Sequence, residues 1–307
     1  MKGRVFKSTG SWYKVELEDG SFWDCRLKGK LKLSRTGATN PVAVGDWVEL
    51  EAESGQANLG IISAVFDREN YLIRKSVHKA GQAHILAANL DQVVVIASLT
   101  QPRTSLGFID RLLVVAEAFG IPARVIFNKT DLLEPDELEY LDLLAGMYTQ
   151  IGYPALATSV ATGEGITEFH QLLQNKTSLL TGHSGVGKSS LVNAIAPELD
   201  RSTQEISDFA NKGKHTTTYA EMFRLPGQIL LIDTPGIKEL GLLEMEEENL
   251  SLYFPELREV ASQCRFYNCR HLHEPGCAVR EGVEKGILPL TRYQSYLSMV
   301  ENEDNRR

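Results

Sequence analysis

The sequence has no long hydrophobic run, and this absence narrows the classes of protein that it encodes. No uninterrupted apolar run reaches the roughly 18 residues of a membrane-spanning helix, so we expect no membrane partner. Residues 1–20 lack the apolar core of a secretory signal, which favours a cytoplasmic protein. Repeats and low-complexity linkers are also absent. With 43% hydrophobic and 23% charged residues, the composition argues against disorder and supports a sizeable core.

Cysteine is scarce, with four residues in a chain of 307, and three of the four lie close together. Cys264, Cys269 and Cys277 fall within 14 residues, and without a secretion signal such clustering indicates metal binding rather than disulfides. With His271 the segment reads Cys-x₄-Cys-x-His-x₅-Cys, and a Cys₃His set suits a tetrahedral, structural Zn²⁺. The segment is too short to bury much apolar surface, so the metal would supply its folding energy.

Two alternatives remain open for this cysteine segment. His273 could replace His271 as the fourth ligand, or the cysteines could be buried free thiols beside surface histidines. A redox site is disfavoured, because no C-x-x-C spacing occurs. The fourth cysteine, Cys25, stands apart from the cluster.

The net charge of −8 is spread unevenly along the chain. Residues 1–80 carry 13 Lys/Arg and 10 Asp/Glu, a net charge of +3, and the remainder carries a net charge of −11. No acidic residue lies between Asp24 and Asp46, where the basic residues are Arg26, Lys28, Lys30, Lys32 and Arg35. A basic strip on an acidic protein fits an anionic partner, and a solvated loop face is the alternative.

The spacing of turn residues divides the chain into regions of different fold. Residues 1 to about 80 contain five short strand-like segments, which predict a small barrel, either an OB-fold or an SH3-like barrel. From about residue 89, strands alternate with helices, which indicates an α/β fold with a mainly parallel sheet. Beyond about residue 245 the chain reads as helical. The predicted α/β strands are 92–98, 123–128, 154–159, 177–182 and 228–234, with helices that include 108–119 and 135–150.

A phosphate-binding loop follows the strand predicted at 177–182. Residues 182–189 (GHSGVGKS) match G-x-x-x-x-G-K-[ST] between a predicted strand and an apolar helical stretch, the context that this motif needs. Backbone N–H groups of such a loop converge on phosphate oxygens. Lys188 should reach the β- and γ-phosphates and Ser189 should ligate Mg²⁺, whereas the alternative is a Gly-rich surface turn. The predicted nucleotide-binding residues here are Gly182, His183, Ser184, Gly185, Val186, Gly187, Lys188, Ser189 and Ser190.

A second motif follows the strand predicted at 123–128 and concerns the nucleotide base. Asn128, Lys129, Thr130 and Asp131 follow the strand at 123–128 and resemble the guanine-specificity motif N-K-x-D. The aspartate can accept hydrogen bonds from the guanine N1–H and exocyclic amine, which adenine cannot supply. A mispaired base would leave a buried polar group unsatisfied, so such a site discriminates strongly. We expect Asn128 to brace the loop and contact the base, and the stem of Lys129 to pack along the ring.

The next predicted strand ends in a shorter motif. Thr158, Ser159 and Val160 resemble the S-A-[KL] loop of GTPases, in which a backbone N–H near Val160 would meet the guanine O6. Valine replaces the usual alanine, and a plain strand-end turn is the alternative.

Two further segments match the switch regions of GTPases. Residues 233–236 (DTPG) resemble D-x-x-G, in which Asp233 would hold Mg²⁺ through water and the Gly236 N–H would sense the γ-phosphate. Between the P-loop and this motif lie residues 213–218 (GKHTTT), where a threonine would complete the Mg²⁺ shell. We favour Thr217 among the three adjacent threonines, which as an alternative are simply strand-forming residues.

These motifs occur in permuted order. In common GTPases the P-loop comes first and N-K-x-D follows it, whereas here residues 128–131 and 158–160 precede residues 182–189. Function requires only that the loops meet at the carboxyl edge of the sheet, where ligands of parallel sheets bind. Joining the old termini preserves this edge, because chain termini often lie close together.

The barrel, the permuted motifs and the Cys-x₄-Cys-x-His-x₅-Cys segment together resemble the RsgA/YjeQ family of bacterial GTPases, along essentially the whole chain. Residues 84–98 and 108–133 are also similar to that family's sequences. The resemblance implies an OB-fold over 1–80, a circularly permuted P-loop GTPase domain over 81–245 and a helical zinc-binding domain over 246–307.

The resemblance also implies a function. It implies GTP hydrolysis that the 30S ribosomal subunit stimulates during its late maturation, with 16S rRNA contacts through the barrel and the zinc domain. The implied cofactors are one structural Zn²⁺ and Mg²⁺ bound with GTP, and the implied oligomeric state is a monomer.

The position that carries a water-orienting glutamine in many GTPases is Ile237 here. Isoleucine cannot hydrogen-bond water, so we expect slow intrinsic hydrolysis with the catalytic group supplied elsewhere. His215, which resembles the histidine of the family's G-[KR]-H-T-T-T segment, is the candidate, and a solvated loop histidine is the alternative. With Lys188 and Thr217 it completes the expected catalytic set.

Only 27 residues separate Gly236 from Cys264, so loss of the γ-phosphate could reorient the zinc domain and release the subunit. Two other functions compete. An RNA-binding module that uses GTP only as a structural ligand is disfavoured by Lys188, Ser189 and Asp233. An ATP-dependent enzyme such as a small kinase is disfavoured by residues 128–131.

Overall fold

The computed structural model describes residues 1–29, 40–53, 55, 57–75, 83–196, 220–233 and 247–301. The strands in this part are β1 (Lys2–Ser8), β2 (Tyr13–Leu17), β3 (Phe22–Leu27), β4 (Trp47–Ala52), β5 (Leu59–Val65), β6 (Tyr71–Lys75), β7 (Ala83–Ala88), β8 (Gln92–Ala97), β9 (Ala123–Asn128), β10 (Ala155–Thr158), β11 (Thr177–Thr181), β12 (Glu221–Leu225) and β13 (Ile229–Asp233). The helices are α1 (Leu106–Ala118), α2 (Pro135–Gln150), α3 (Ile166–Leu173), α4 (Lys188–Ile195), α5 (Pro255–Ala261), α6 (Ala278–Glu284) and α7 (Leu290–Val300), and 3₁₀ turns cover Thr130–Leu132 and Glu247–Tyr253.

The chain divides into two compact units, which we describe separately. The first comprises Met1–Gln92, His170–Leu180 and Val192–Glu239, and the second comprises Val93–Phe169, Thr181–Leu191 and Leu240–Arg307. Among the helices of the described residues, none has both the length and the apolar composition that a membrane span requires.

The first unit begins with a five-stranded barrel. Its strands pair in the order β1-β2-β3-β5-β4, and β4 pairs back to β1, which closes the barrel. The β3–β5 pair is parallel and the other pairs are antiparallel. This arrangement is an OB-fold, so the sequence prediction is confirmed and the SH3-like alternative is removed.

The barrel forms because alternating strand residues turn inward. In β2, Tyr13 and Val15 are buried while Lys14 between them is partly exposed, the period of two that a half-buried strand requires. The core also contains Cys25, and burial raises the pKa of its thiol to about 11. Cys25 is therefore a small apolar core residue and lies in a different unit from the other three cysteines.

A hairpin that the sequence analysis did not predict follows the barrel. β6 and β7 pair antiparallel, and the backbone of Ala88 at the end of β7 bonds Val44 O at 2.9 Å. Gly45 makes this approach possible, because its φ is +91° and a Cβ there would lie 2.0 Å from Ala88 O. Asn40 adds bonds of 2.8 Å to both Ile85 N and Ile85 O.

A small sheet also belongs to the first unit. β13 pairs with β11 in parallel and with β12 in antiparallel register, and Ile232 lies opposite both Leu179 and Met222. The strands predicted at 177–182 and 228–234 are thus present, whereas β12 was not predicted because its five residues, EMFRL, carry no clear period. β12 also touches the barrel, where Lys7 Nζ lies 2.8 Å from Glu221 Oε1.

In the second unit, β8, β9 and β10 form a parallel set in the order β10-β9-β8. All residues of β8 are buried, as the apolar run predicted. α1 begins at Leu106 because the Ser105 side chain accepts a bond from Phe108 N. α2 begins at Pro135 with a capping box between Glu134 and Glu137.

The C-terminal helices α5, α6 and α7 also belong to the second unit. Phe254, Leu257 and Tyr296 are buried there together with Val114 of α1. A buried ion triad reinforces this packing: Arg292 of α7 lies 2.7 Å from Asp110 of α1 and 2.6 Å from Glu256 of α5. The helical character predicted beyond about residue 245 is confirmed.

Candidate functional site

The P-loop connects β11 to α4, and two of its glycines are required by their surroundings. Gly182 has a φ of +144°, and a Cβ there would lie 2.0 Å from Ile96 O. Gly187 has a φ of +99°, and a Cβ there would lie 2.2 Å from Asn128 Nδ2. The loop therefore reaches its conformation only because these positions lack a side chain. α4 then begins at Lys188, so its N-terminus opens onto the loop.

Lys188 lies against the loop itself. Its Nζ donates to Gly182 O at 2.8 Å and to His183 O at 2.7 Å. The His183 ring stacks on Phe108 of α1, with ring centroids 3.8 Å apart and planes inclined by 21°. The P-loop is thus held by Lys188, which bonds two of its carbonyls, and by the stacking of His183 on Phe108.

Asn128 joins three of the predicted motifs. Its Nδ2 donates to Val186 O in the P-loop at 2.8 Å, and its Oδ1 accepts from Thr158 Oγ1 at 3.1 Å. The side chain is buried, so both bonds form away from competing water. Asn128 therefore links the loops that contain Thr158 and Val186 at the carboxyl end of β9, the edge at which ligands of parallel sheets bind.

Asp131 is exposed and is held by one neighbour. Ser159 Oγ donates to Asp131 Oδ1 at 2.5 Å, a bond that links the N-K-T-D loop to the T-S-V loop. Lys129 adopts the left-handed conformation, with φ +69°, and its Nζ donates to Gln101 O. A carboxylate and the aliphatic stem of a lysine are suited to the edge and the face of a planar base.

Thr130 and Val160 complete these two loops. Thr130 is buried, and its hydroxyl donates to Glu164 Oε2 at 2.8 Å, with Thr158 O at 3.3 Å. Val160 is exposed, so the larger side chain at the usual alanine position points away from the core.

Three residues of this site were missed by the sequence analysis: Gln101, Phe108 and Glu164. Each contacts a motif residue from a segment that matches no motif, so no signal in the sequence identifies the first two. Glu164 lies five residues beyond Ser159 in a turn rich in glycine, a weak sign that the T-S-V loop folds back on itself.

The switch segments are described only in part. Asp233 ends β13 in the first unit, one residue beyond the pairing of Ile232 with Leu179. Gly236, His215, Thr217 and Ile237 lie outside the described residues, so their roles remain predictions.

The structure brings Cys264, Cys269, His271 and Cys277 together. Their donor atoms all lie within 4.8 Å of one another, and His271 Nδ1 is 3.6 Å from Cys264 Sγ and 3.5 Å from Cys277 Sγ. Donors at Zn–S and Zn–N bond lengths in a tetrahedron lie roughly 4 Å apart, so this cluster can hold a metal ion. His273 is exposed and lies outside the cluster.

Neighbouring groups shape this metal cluster. Tyr293 OH donates to His271 O at 2.7 Å and Tyr296 OH to Arg270 O at 2.5 Å, so α7 supports the loop. Burial lowers the pKa of His271, which keeps the ring neutral and available as a ligand. Burial acts to raise the pKa of Glu274, but backbone N–H groups of the same turn lower it to about 2.

The P-loop, the buried asparagine that ties it to a guanine-type loop, and the chain order of these motifs define a circularly permuted P-loop GTPase. The chain belongs to the RsgA GTPase family: the family model "RsgA GTPase" matches residues 65–243, and "RsgA N-terminal domain" matches residues 2–62. It is therefore a GTP hydrolase with an N-terminal OB-fold.

Similar proteins agree with this assignment along the whole chain. A protein of Bacteroides fragilis named small ribosomal subunit biogenesis GTPase RsgA is 49% identical over 304 residues, covering 99% of this chain and 97% of that protein. A Christiangramia forsetii protein of the same name is 46% identical, with 99% and 97% covered. Among solved structures, YjeQ from Thermotoga maritima has a TM-score of 0.80 at 34% identity, covering 100% of this chain and 99% of that chain. YloQ, described as a circularly permuted GTPase, has a TM-score of 0.74 at 31% identity, with 100% and 96% covered.

Proposed function

We propose that this chain hydrolyses GTP as a switch in the late maturation of the 30S ribosomal subunit, which stimulates the reaction. The nucleotide assignment rests on two hydrogen bonds of the buried Asn128 side chain. It donates to Val186 O at 2.8 Å and accepts from Thr158 Oγ1 at 3.1 Å. These bonds assemble phosphate-binding and base-selecting loops into one site. The ribosomal role rests on relatives whose names state it.

The base is selected by the loops around Asp131. The carboxylate would accept from the guanine N1–H and exocyclic amine, while the Lys129 stem packs along the ring and Asn128 braces the loop. Ser159 orients the carboxylate through its bond of 2.5 Å. A backbone N–H near Val160 would meet the guanine O6. Adenine has no N1–H, no amine at C2 and no O6, so this site should bind GTP and exclude ATP.

The phosphates would occupy the P-loop at the N-terminus of α4. Lys188, which donates to Gly182 O and His183 O in this structure, would exchange those carbonyls for phosphate oxygens. Mg²⁺ would be held by Ser189 and Thr217 and, through water, by Asp233, and when bound it neutralises charge on the phosphates. The Gly236 N–H would sense the γ-phosphate.

Hydrolysis should be slow without the subunit, because Ile237 occupies the position of the water-orienting glutamine. We assign the orienting role to His215. If His215→Ala retains wild-type turnover with 30S subunits and intact GTP binding, His215 has no part in the mechanism.

The metal cluster would hold one structural Zn²⁺, because four protein ligands leave no position for substrate. Cys264, Cys269, His271 and Cys277 would be its ligands, and α6 and α7 would depend on it for their packing. We assign this region, residues 246–307, to a zinc domain, residues 81–245 to the GTPase domain and residues 1–80 to the barrel.

The barrel carries a surface suited to 16S rRNA. Trp12 and Phe22 are exposed, and each has a cation over its ring: Arg26 at 5.1 Å and Lys14 at 5.0 Å. Aromatic rings with adjacent cations stack unpaired bases and attract phosphates. This surface lies on and before β2 and β3, the strands that OB-folds use for oligonucleotides. We propose RNA contacts through both the barrel and the zinc domain, in a cytoplasmic monomer.

The switch is tested by the affinity of purified 30S subunits for the protein with a non-hydrolysable GTP analogue and with GDP. We expect tighter binding with the analogue, because loss of the γ-phosphate should reorient the zinc domain. Equal affinity in the two nucleotide states would refute the proposed switch and would not affect the assignment as a GTPase.

A further inference from the structure

Glu164 bonds to both base-recognition loops, which we define as residues 128–131 and 158–160, although it belongs to neither. Its backbone oxygen accepts from Ser159 N at 3.0 Å, and its Oε2 accepts from Thr130 Oγ1 at 2.8 Å. A single residue thus connects the loop that follows β9 with the loop that follows β10.

The bond to Thr130 is the stronger of two options for that hydroxyl. Thr130 is buried and has one hydroxyl proton, which lies within reach of Glu164 Oε2 at 2.8 Å and of Thr158 O at 3.3 Å. The shorter distance and the negative charge favour the carboxylate as acceptor. The Thr130–Glu164 contact is therefore a charge-assisted hydrogen bond with a buried donor.

The position of Glu164 is itself fixed by the backbone. The next residue, Gly165, has a φ of +67°, and a Cβ there would lie 2.1 Å from Ala157 O of β10. The turn is thereby pressed against the strand that it follows. Thr162 N donates to Ser159 Oγ at 3.2 Å and closes the same turn.

Both bonds of Glu164 lead to Asp131. Thr130 is the adjacent residue in the chain, and Ser159, whose N–H bonds Glu164 O, donates its hydroxyl to Asp131 Oδ1 at 2.5 Å. The Asp131 carboxylate, which would bind the guanine edge, is therefore positioned by its chain neighbour Thr130 and by Ser159. Glu164 bonds both of these residues.

We propose that Glu164 is a positioning residue for guanine recognition, holding the two base-recognition loops at the spacing at which Asp131 meets the base. The inference rests on the proposed guanine site. The Glu164 side chain bonds Thr130, in a loop that would surround the base, so removing this side chain should change affinity and base discrimination and leave phosphate cleavage unchanged.

The test is a double-mutant cycle on the full chain with a fluorescent GDP analogue. Glu164→Ala and Thr130→Val should each weaken GDP binding about three- to tenfold, the range expected for one charge-assisted hydrogen bond that is partly exposed. The double variant should be no weaker than the worse single variant, because both changes break the same bond. Glu168→Ala removes an exposed glutamate of α3 that lies outside the site, and as the matched control it should bind GDP as wild type does.

Two readouts separate positioning from general damage. The ratio of GDP to IDP affinity should fall, because IDP lacks the exocyclic amine and depends less on Asp131, while kcat at saturating GTP stays at the wild-type value. Damage to the fold would instead lower the number of binding sites per chain. Unchanged GDP affinity in Glu164→Ala, or additive losses in the double variant, would overturn the inference. A wild-type protein that binds ADP as well as GDP would overturn the proposed function itself.

Discussion

Replacing Arg292 by methionine is expected to destabilise the second unit by about 3–5 kcal/mol, the range for breaking a buried ion network. The Arg292 side chain is fully buried, with its guanidinium 2.7 Å from Asp110 Oδ1 and 2.6 Å from Glu256 Oε1. It also lies 4.5 Å from the centre of the Phe254 ring. Burial acts to lower the pKa of Arg292, but the two carboxylates raise it above its ordinary value, so the side chain remains a cation.

The magnitude follows from what the substitution leaves behind. Methionine fills most of the volume but offers no proton, so two buried carboxylates would face each other without a cation. The remaining support for Asp110 is Tyr148 OH, which donates to the same Oδ1 at 2.9 Å. An uncompensated buried charge costs several kcal/mol, whereas removing all three charges can be neutral. The triple change Arg292→Met, Asp110→Leu, Glu256→Leu should therefore recover most of the loss.

The assay is urea unfolding followed by far-ultraviolet circular dichroism, which reports the helices. Tryptophan fluorescence is unsuitable, because Trp12, Trp23 and Trp47 all lie in the barrel region of the other unit. Arg258→Met is the control: its ion pair with Glu117 is 3.6 Å long and the Arg258 side chain is 52% exposed, so a loss below about 1 kcal/mol is expected. The reasoning is refuted if Arg292→Met loses no more stability than Arg258→Met.

Three other outcomes are expected. Gly187→Ala should abolish GDP binding in a titration and retain the circular dichroism spectrum, because the added Cβ would lie 2.2 Å from Asn128 Nδ2. A GDP affinity close to that of the wild type would contradict the P-loop geometry. Asp131→Asn should weaken the binding of GTP and strengthen the binding of XTP, because the asparagine amide can donate to the xanthine C2 carbonyl. A turnover assay with both nucleotides checks this. In a thiol titration near pH 8, the zinc-loaded protein should react little, and chelation of the metal should expose three thiols. Cys25 should react only in denaturant, because its burial and its pKa of about 11 keep it a shielded thiol. A fourth thiol that reacts before unfolding would contradict this.

The sequence predicted those parts of the fold that depend on local pattern. The apolar runs 92–98 and 123–128 became β8 and β9, because continuous apolar strands are stable only when both faces are covered. Pro135 marked the start of α2, since proline suits the first helical position. The P-loop, N-K-T-D and cysteine segments were recognisable because their chemistry needs fixed residues at fixed spacing.

Other features depend on contacts that spacing does not encode. The hairpin of β6 and β7 is held partly by Asn40 from a distant segment, and β12 is defined by its pairing with β13. The Arg292 triad joins residues up to 182 positions apart, so its members read as ordinary surface charges in the sequence. Glu164 shares this property, because its role comes from a bond to a loop on a neighbouring strand.

The central claim is tested most directly by GTP and ATP turnover with the purified protein, alone and with 30S subunits. We predict slow turnover of GTP alone, no turnover of ATP, and a large rise in GTP turnover when 30S subunits are added. GTP turnover that is indifferent to 30S subunits would contradict the ribosomal role, and ATP turnover equal to that of GTP would contradict the base-recognition site.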